Sequence, residues 1–144
     1  MAPVGYLEAV PRYRRPMSDL AAARSAWEEF ASARTPEDID RLLEGWDPDV
    51  EYVEDPKWPG ADTFRGYAAV AARFREYVDV LGMGGEFVLE DVRETPGGLV
   101  SLVRVKGDTV SGVPFDHLWA YRFRMRGGRI VWFRAYLDPD EALA

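Results

Sequence analysis

From residue 19 onward the apolar positions fall at helical spacing. Leu20, Ala23, Trp27, Phe30 and Ala31 recur every three or four residues, which is the stripe of a helix with one buried face. Ser18 or Asp19 can cap its start. Thr35-Pro36-Glu37-Asp38 reads as the cap, first-position proline and acidic first turn of a second helix. Ile39, Leu42, Leu43 and Trp46 form its apolar stripe, and Asp47-Pro48-Asp49 breaks it. Residues 50–54 read as a short strand stopped by Pro56. Pro59, Gly60 and Gly66 mark residues 57–66 as a loop. A third helix follows over residues 67–81, with Val70, Phe74 and Val78 at four-residue steps and Gly82, Gly84 and Gly85 at its end.

Beyond that point β-rich runs take over. They occupy residues 86–94, 98–106, 113–125 and 129–137, separated by Gly97-Gly98, Gly107-Asp108 and Gly127-Gly128. That spacing predicts a hairpin meander. Helices first and strands afterwards predict an α+β fold with helices on one face of an antiparallel sheet. In the third run Phe115, His117, Trp119, Tyr121 and Phe123 share one face, and Asp116, Leu118, Ala120, Arg122 and Arg124 share the other. The aromatic face should turn inward. Residues 1–17 hold three prolines and three arginines without periodicity and read as an arm ahead of one domain over residues 18–144.

Composition narrows the chemistry. With 144 residues, 47% hydrophobic and 30% charged, the chain suits one globular core. The 13% aromatic content suits a pocket or an interface as well as that core. A net charge of −7 repels phosphate backbones and anionic lipid, so neither nucleic acid nor a membrane is an expected partner. The absence of cysteine excludes disulfides, zinc–thiolate sites, iron–sulfur clusters and cysteine nucleophiles, and a cytoplasmic setting is expected. A single histidine and no glycine-rich phosphate loop ahead of a helix lead us to expect neither a metal nor a nucleotide cofactor.

The segment Val53-Glu54-Asp55-Pro56 resembles the acidic strand-end of the ketosteroid isomerases. These belong to the nuclear transport factor 2-like superfamily, which includes the SnoaL-like cyclases. The order of elements and the last two strands, Arg122-Phe123 through Gly128-Arg129-Ile130 to Ala135-Tyr136, resemble that fold too. The resemblance implies a cone-shaped, curved antiparallel sheet wrapped around the N-terminal helices, a cystatin-like roll. It also implies a general-base role for Asp55. The two acidic hydrogen-bond donors of the isomerases fall on Phe30 and Trp119, neither of which carries an acidic proton. The chain is therefore not expected to be a ketosteroid isomerase. The Asp-Arg-Asp set of the superfamily's epoxide hydrolases is not matched either, since Lys106 stands two residues after Arg104.

Each candidate has two readings. Asp55 is either a base whose pKa desolvation raises at an apolar cavity mouth, or the cap of a turn before Pro56, or a carboxylate in solvent. His117 is either its partner in acid–base chemistry or a hydrogen-bonded core histidine. Glu51 and Asp55 share parity while Glu54 faces the other way, and these extra glutamates are expected mostly in solvent. Trp58 is a lid or a loop anchor; Phe30, Trp119, Tyr121 and Phe133 are expected to line the pocket. Arg104 and Arg134 are expected in structural ion pairs, with a ligand clamp as the alternative for Arg134. Trp132, Arg134 and Tyr136 alternate with Phe133, Ala135 and Leu137, so the last strand is bulky on both faces. A homodimer through the outer face would cover one of them. The functions in view are acid–base catalysis (cyclase, isomerase or dehydratase) on a small apolar or amphipathic metabolite, and ligand binding or assembly without turnover.

Overall fold

Trp27 has no exposed surface and packs against Phe30, Trp46, Tyr121, Phe123 and Phe133, with ring centroids 4.9–6.0 Å apart. Its helix, α1 (Asp19–Ser32), thus lies in the concavity of the sheet, with Ala23, Trp27, Phe30 and Ala31 buried as the spacing predicts. The computed structural model describes residues 19–33, 35–44, 46–81 and 85–144. The expected arm over residues 1–17, the Ser18 cap and the Gly82 and Gly84 helix stop lie outside the described residues, as do the side chains of Leu42 and Leu43.

Helix α2 (Pro36–Glu44) opens on a reciprocal cap. Asp38 N donates to Thr35 Oγ1 and Thr35 N to Asp38 Oδ2, each at 3.1 Å. Strand β1 (Glu51–Val53) follows, then β2 (Thr63–Arg65), a strand where Pro59, Gly60 and Gly66 predict loop. Helix α3 (Gly66–Leu81) precedes β3 (Glu86–Thr95), β4 (Gly98–Asp108), β5 (Pro114–Arg126) and β6 (Arg129–Tyr136). A short helix, α4 (Pro139–Leu143), absent from the sequence reading, ends the chain; Asp138 caps it, its carboxylate accepting from Asp140 N at 3.0 Å.

The six strands form one curved, unclosed sheet in the order β2-β1-β6-β5-β4-β3. The β3–β6 meander is antiparallel, and so is β1 with β2. β1 docks parallel to β6, aligning Tyr52 with Phe133 and Val53 with Arg134, which corrects the all-antiparallel expectation at that one seam. The inner face carries Val92, Val103, Val105, Tyr121, Phe123, Phe133 and Ala135 into the core beneath α1 and α3.

The outer face has a core of its own. Val100, Leu102 and Ala120 pack with Ala142 of α4, and Leu118, Tyr136 and Leu143 border them. The chain thus covers with its own last helix part of the face for which a second copy was expected. Arg122 straps that helix down. Its Nε donates to Ala142 O at 3.0 Å, Nη2 to Ala144 O at 3.3 Å and Nη1 to Gly97 O at 3.2 Å. Gly97 makes room for it, since a Cβ there would stand 2.1 Å from Arg122 Nη2.

Candidate functional site

β1 ends at Val53, and the next two residues turn opposite ways. The Asp55 carboxylate links the end of β1 to the residue just past β6. Oδ2 accepts Leu137 N–H at 2.8 Å and Oδ1 accepts Lys57 N–H at 2.9 Å. Only 1% of Asp55 is exposed. Burial pushes its pKa up, but the two backbone N–H bonds and the charges of Lys57 and Arg134 outweigh that, and the net shift is downward. The expected raised base is, in this geometry, a firmly ionised carboxylate with both oxygens engaged.

His117 reaches the same residue from β5. Its Nε2 lies 2.8 Å from Leu137 O. A carbonyl only accepts, so Nε2 carries a proton, and in the neutral form of the ring the lone pair is then on Nδ1. Among the described residues Nδ1 has no hydrogen-bond partner. Asp55 and His117 therefore converge on Leu137, one at its N–H and one at its carbonyl, and not on each other.

Beside His117 the aromatic face opens outward. Trp119 meets the imidazole edge-on at 5.2 Å and Trp58 meets Trp119 edge-on at 5.5 Å. Trp58 is 40% exposed, while His117 and Trp119 are half-buried. The loop that carries Trp58 is fixed at its base: Trp58 N donates to Asp55 O at 2.8 Å and Ala61 N to Trp58 O at 3.0 Å. Lys57 Nζ ties it to Glu141 of α4 at 2.7 Å. Deeper in, Phe30 and Tyr121 each keep 7% exposure, and Phe133 is sealed at 0%. Phe133, Phe30 and Tyr121 all belong to the core cluster, and among these rings Trp119 and Trp58 are the ones packed beside His117.

Glu54 corrects the expectation of solvent. It points inward, 4% exposed, and takes a bidentate ion pair from Arg73 of α3: Nε to Oε2 at 2.8 Å and Nη2 to Oε1 at 2.9 Å. Asp62 N donates to Oε1 at 3.1 Å, and Tyr77 O–H donates to Oε2. Tyr52 and Tyr77 hydroxyls lie 2.8 Å apart, so with Tyr77's proton committed to Glu54, Tyr52 is the donor. Burial, and then Glu54, hold the Tyr77 phenol above its ordinary pKa; burial does the same for Tyr52 and Tyr121. Arg73 also stacks over Phe64 and Tyr77, 5.3 Å from each ring centre. The signal for this cluster was the parity of Tyr52 with Glu54 and the four-residue step from Arg73 to Tyr77.

Arg104 makes the structural ion pairs expected of it, whereas Arg134 makes none among the described residues. Arg104 bridges Glu90 at 2.8 Å and Asp116 at 3.0 Å. Arg134 lies over the Tyr136 ring at 4.6 Å, and its buried Nε has no hydrogen-bond partner among the described residues. A groove of about 310 Å³ along α1, lined by Leu20, Ala21, Arg24, Ser25 and Glu28, shares no residue with the mouth. Among the described residues no helix is long and apolar enough to cross a membrane.

Solved structures share this architecture. An NTF2-like protein from Anabaena variabilis superposes with a TM-score of 0.71 at 20% identity, over 86% of this chain and 93% of that one. An NTF2-like protein of unknown function from Burkholderia pseudomallei gives 0.66 at 21% identity, over 87% and 95%. A protein of ketosteroid isomerase-like fold from Catenulispora acidiphila, in complex with trimethylamine, gives 0.64 at 16% identity, over 77% and 83%. At such identities the likeness is one of fold. No functionally curated protein matches the chain. Residues 17–133 match the SnoaL-like domain, and the chain belongs to that family.

Proposed function

We propose that this protein is a cofactor-independent acid–base catalyst for a small, largely apolar metabolite, of the isomerase, cyclase or dehydratase type. His117 Nδ1 handles the proton. Trp58 and Trp119 form the wall that receives the ligand, Phe30 and Tyr121 lie behind them, and Asp55 holds the frame. The observation that carries this reading is the bond from Nε2 to Leu137 O, which leaves the lone pair of the chain's one histidine on Nδ1 beside a half-open aromatic wall. A proton taken from a carbon acid by Nδ1 gives an imidazolium that keeps its Nε2–H on Leu137. Returning that proton to another atom of the same ligand completes an isomerisation without any oxidant. The ionised Asp55 behind Leu137 offsets part of the charge while it lasts. Homodimer assembly and a cytoplasmic setting, the latter in keeping with the absence of cysteine, complete the proposal.

A second reading, ligand binding without turnover, is favoured by one fact. Asp55, at the position the isomerase resemblance gives to the base, has both oxygens spent and a lowered pKa. The trimethylamine complex of a neighbour with this fold makes a small amphipathic ligand a fair occupant for such a protein. Deuterium uptake at the α-carbon of cyclic ketones in heavy water, followed by NMR, separates the two. Catalysis predicts protein-dependent exchange that His117→Gln slows about a hundredfold or more, the usual scale of general acid–base help. Ketone binding with no exchange, or exchange indifferent to that substitution, leaves the binding reading.

A further inference from the structure

Leu137 is where the two sides of the sheet meet. Toward the mouth its N–H is held by Asp55 and its carbonyl by His117. Away from the mouth the chain runs directly into the Asp138 cap and α4. That helix is held on the outer face by Ala142, which has no exposed surface, and by the three carbonyl contacts of Arg122, two of them to Ala142 and Ala144. Lys57, which follows the Asp55 turn, ties the mouth loop to Glu141 of the same helix.

From this we infer that α4 and Arg122 form a strap that positions His117 through Leu137, so that the seating of a helix on the outer face decides which nitrogen of the imidazole carries the proton. Arg122 faces away from the aromatic mouth on β5 and contacts Ala142, Gly97 and Ala144; it is a positioning residue. With the strap seated, Leu137 O stands in line with His117 Nε2, and the ring is confined to the tautomer with its lone pair on Nδ1. With the strap released, Leu137 is anchored only by Asp55 at its N–H, and its carbonyl is free to turn away. The two neutral tautomers then interconvert. A partner molecule that lifts α4 from the sheet would thereby act on the histidine from the opposite face. The functional weight of this linkage rests on the reading of His117 as the proton-handling group.

Because the chain has one histidine, its ring nitrogens can be read directly by ¹⁵N NMR in the full-length protein. Two variants release the strap by different means: Arg122→Gln removes the carbonyl clasp, and Ala142→Glu puts a charge where α4 has no exposed surface. Amide exchange at residues 140–143 reports whether the helix has lifted, Pro139 having no N–H. At a pH high enough that the ring is neutral in parent and variants alike, the parent protein is expected to show two widely separated ring-nitrogen shifts, those of a single Nε2–H tautomer. Both variants are expected to lose α4 protection and to bring the two shifts toward each other. An α4 that exchanges freely while His117 keeps one tautomer overturns the inference, and so does an α4 that stays protected in both variants. Since the measurement reads the ring and not turnover, its outcome is independent of the ketone-exchange test.

Discussion

Asp55 has the chemistry of an anchor. A buried carboxylate that accepts two backbone N–H groups loses one of them outright when replaced by Asn, whose amide nitrogen can only donate. Asp55→Asn is expected to cost about 2–3 kcal/mol, the scale of hydrogen bonds to a charged group, measurable by urea denaturation. The linkage sign follows from the depressed pKa. The stabilisation is present in full above the unfolded value, near 3.9, and disappears as pH falls through the lower folded value. Acid should therefore narrow the gap between parent and variant only below about pH 4; a gap constant from pH 7 to pH 2 would refute the ionised anchor. That Asp55 ends a strand, and that Glu54 faces oppositely, was legible in Val53-Glu54-Asp55-Pro56. Its partner Leu137 stands 82 residues away and could not be read from local pattern. His117 meets the same residue from 20 residues away, on the neighbouring strand, and no local period marks that contact either.

Glu54 and Arg73 join β1 to α3 and close the mouth loop from within, since Glu54 N donates to Asp62 O at 3.0 Å while its carboxylate accepts from Asp62 N. Removing either member of a buried ion pair strands the other. Glu54→Ala and Arg73→Ala are each expected to cost about 3–5 kcal/mol, and the double variant clearly less than the sum. Additive losses in a denaturation cycle would show that the pair acts as two independent side chains. The long elements were legible because their periods are long enough to count: fourteen residues of α1, sixteen of α3, eight to thirteen in each meander strand. β2 and α4 were not, and the reason is their length. Three residues of strand between Pro59, Gly60 and Gly66 show no alternation, and five residues of helix complete barely more than one turn. Both elements exist because a neighbour accepts them: β1 pairs with Thr63–Arg65, and the outer-face core takes Ala142.

At the scale of the molecule, the outer face divides in two. α4 shields Val100, Leu102, Leu118, Ala120 and Tyr136, while Trp132 lies under Arg124 at 4.4 Å and Arg134 caps Tyr136. A second copy would have the outer face of β6 to cover, and Val88 of β3, which is exposed on the same side. Light scattering at micromolar concentration is expected to give twice the chain mass; a single-chain mass would mean that α4 and the stacked arginines suffice. The parallel seam between β1 and β6 has a consequence in time as well as in space. Most neighbouring strands here follow one another in sequence, so the meander can zip from its turns. β1 cannot join until β6 has formed, because Glu51 must find Trp132 across most of the chain. Asp55, Leu137 and His117 meet only once that late docking is done. During synthesis the contacts among Asp55, Leu137 and His117 therefore cannot be complete before Leu137 has left the ribosome, whatever the rest of the meander has already formed.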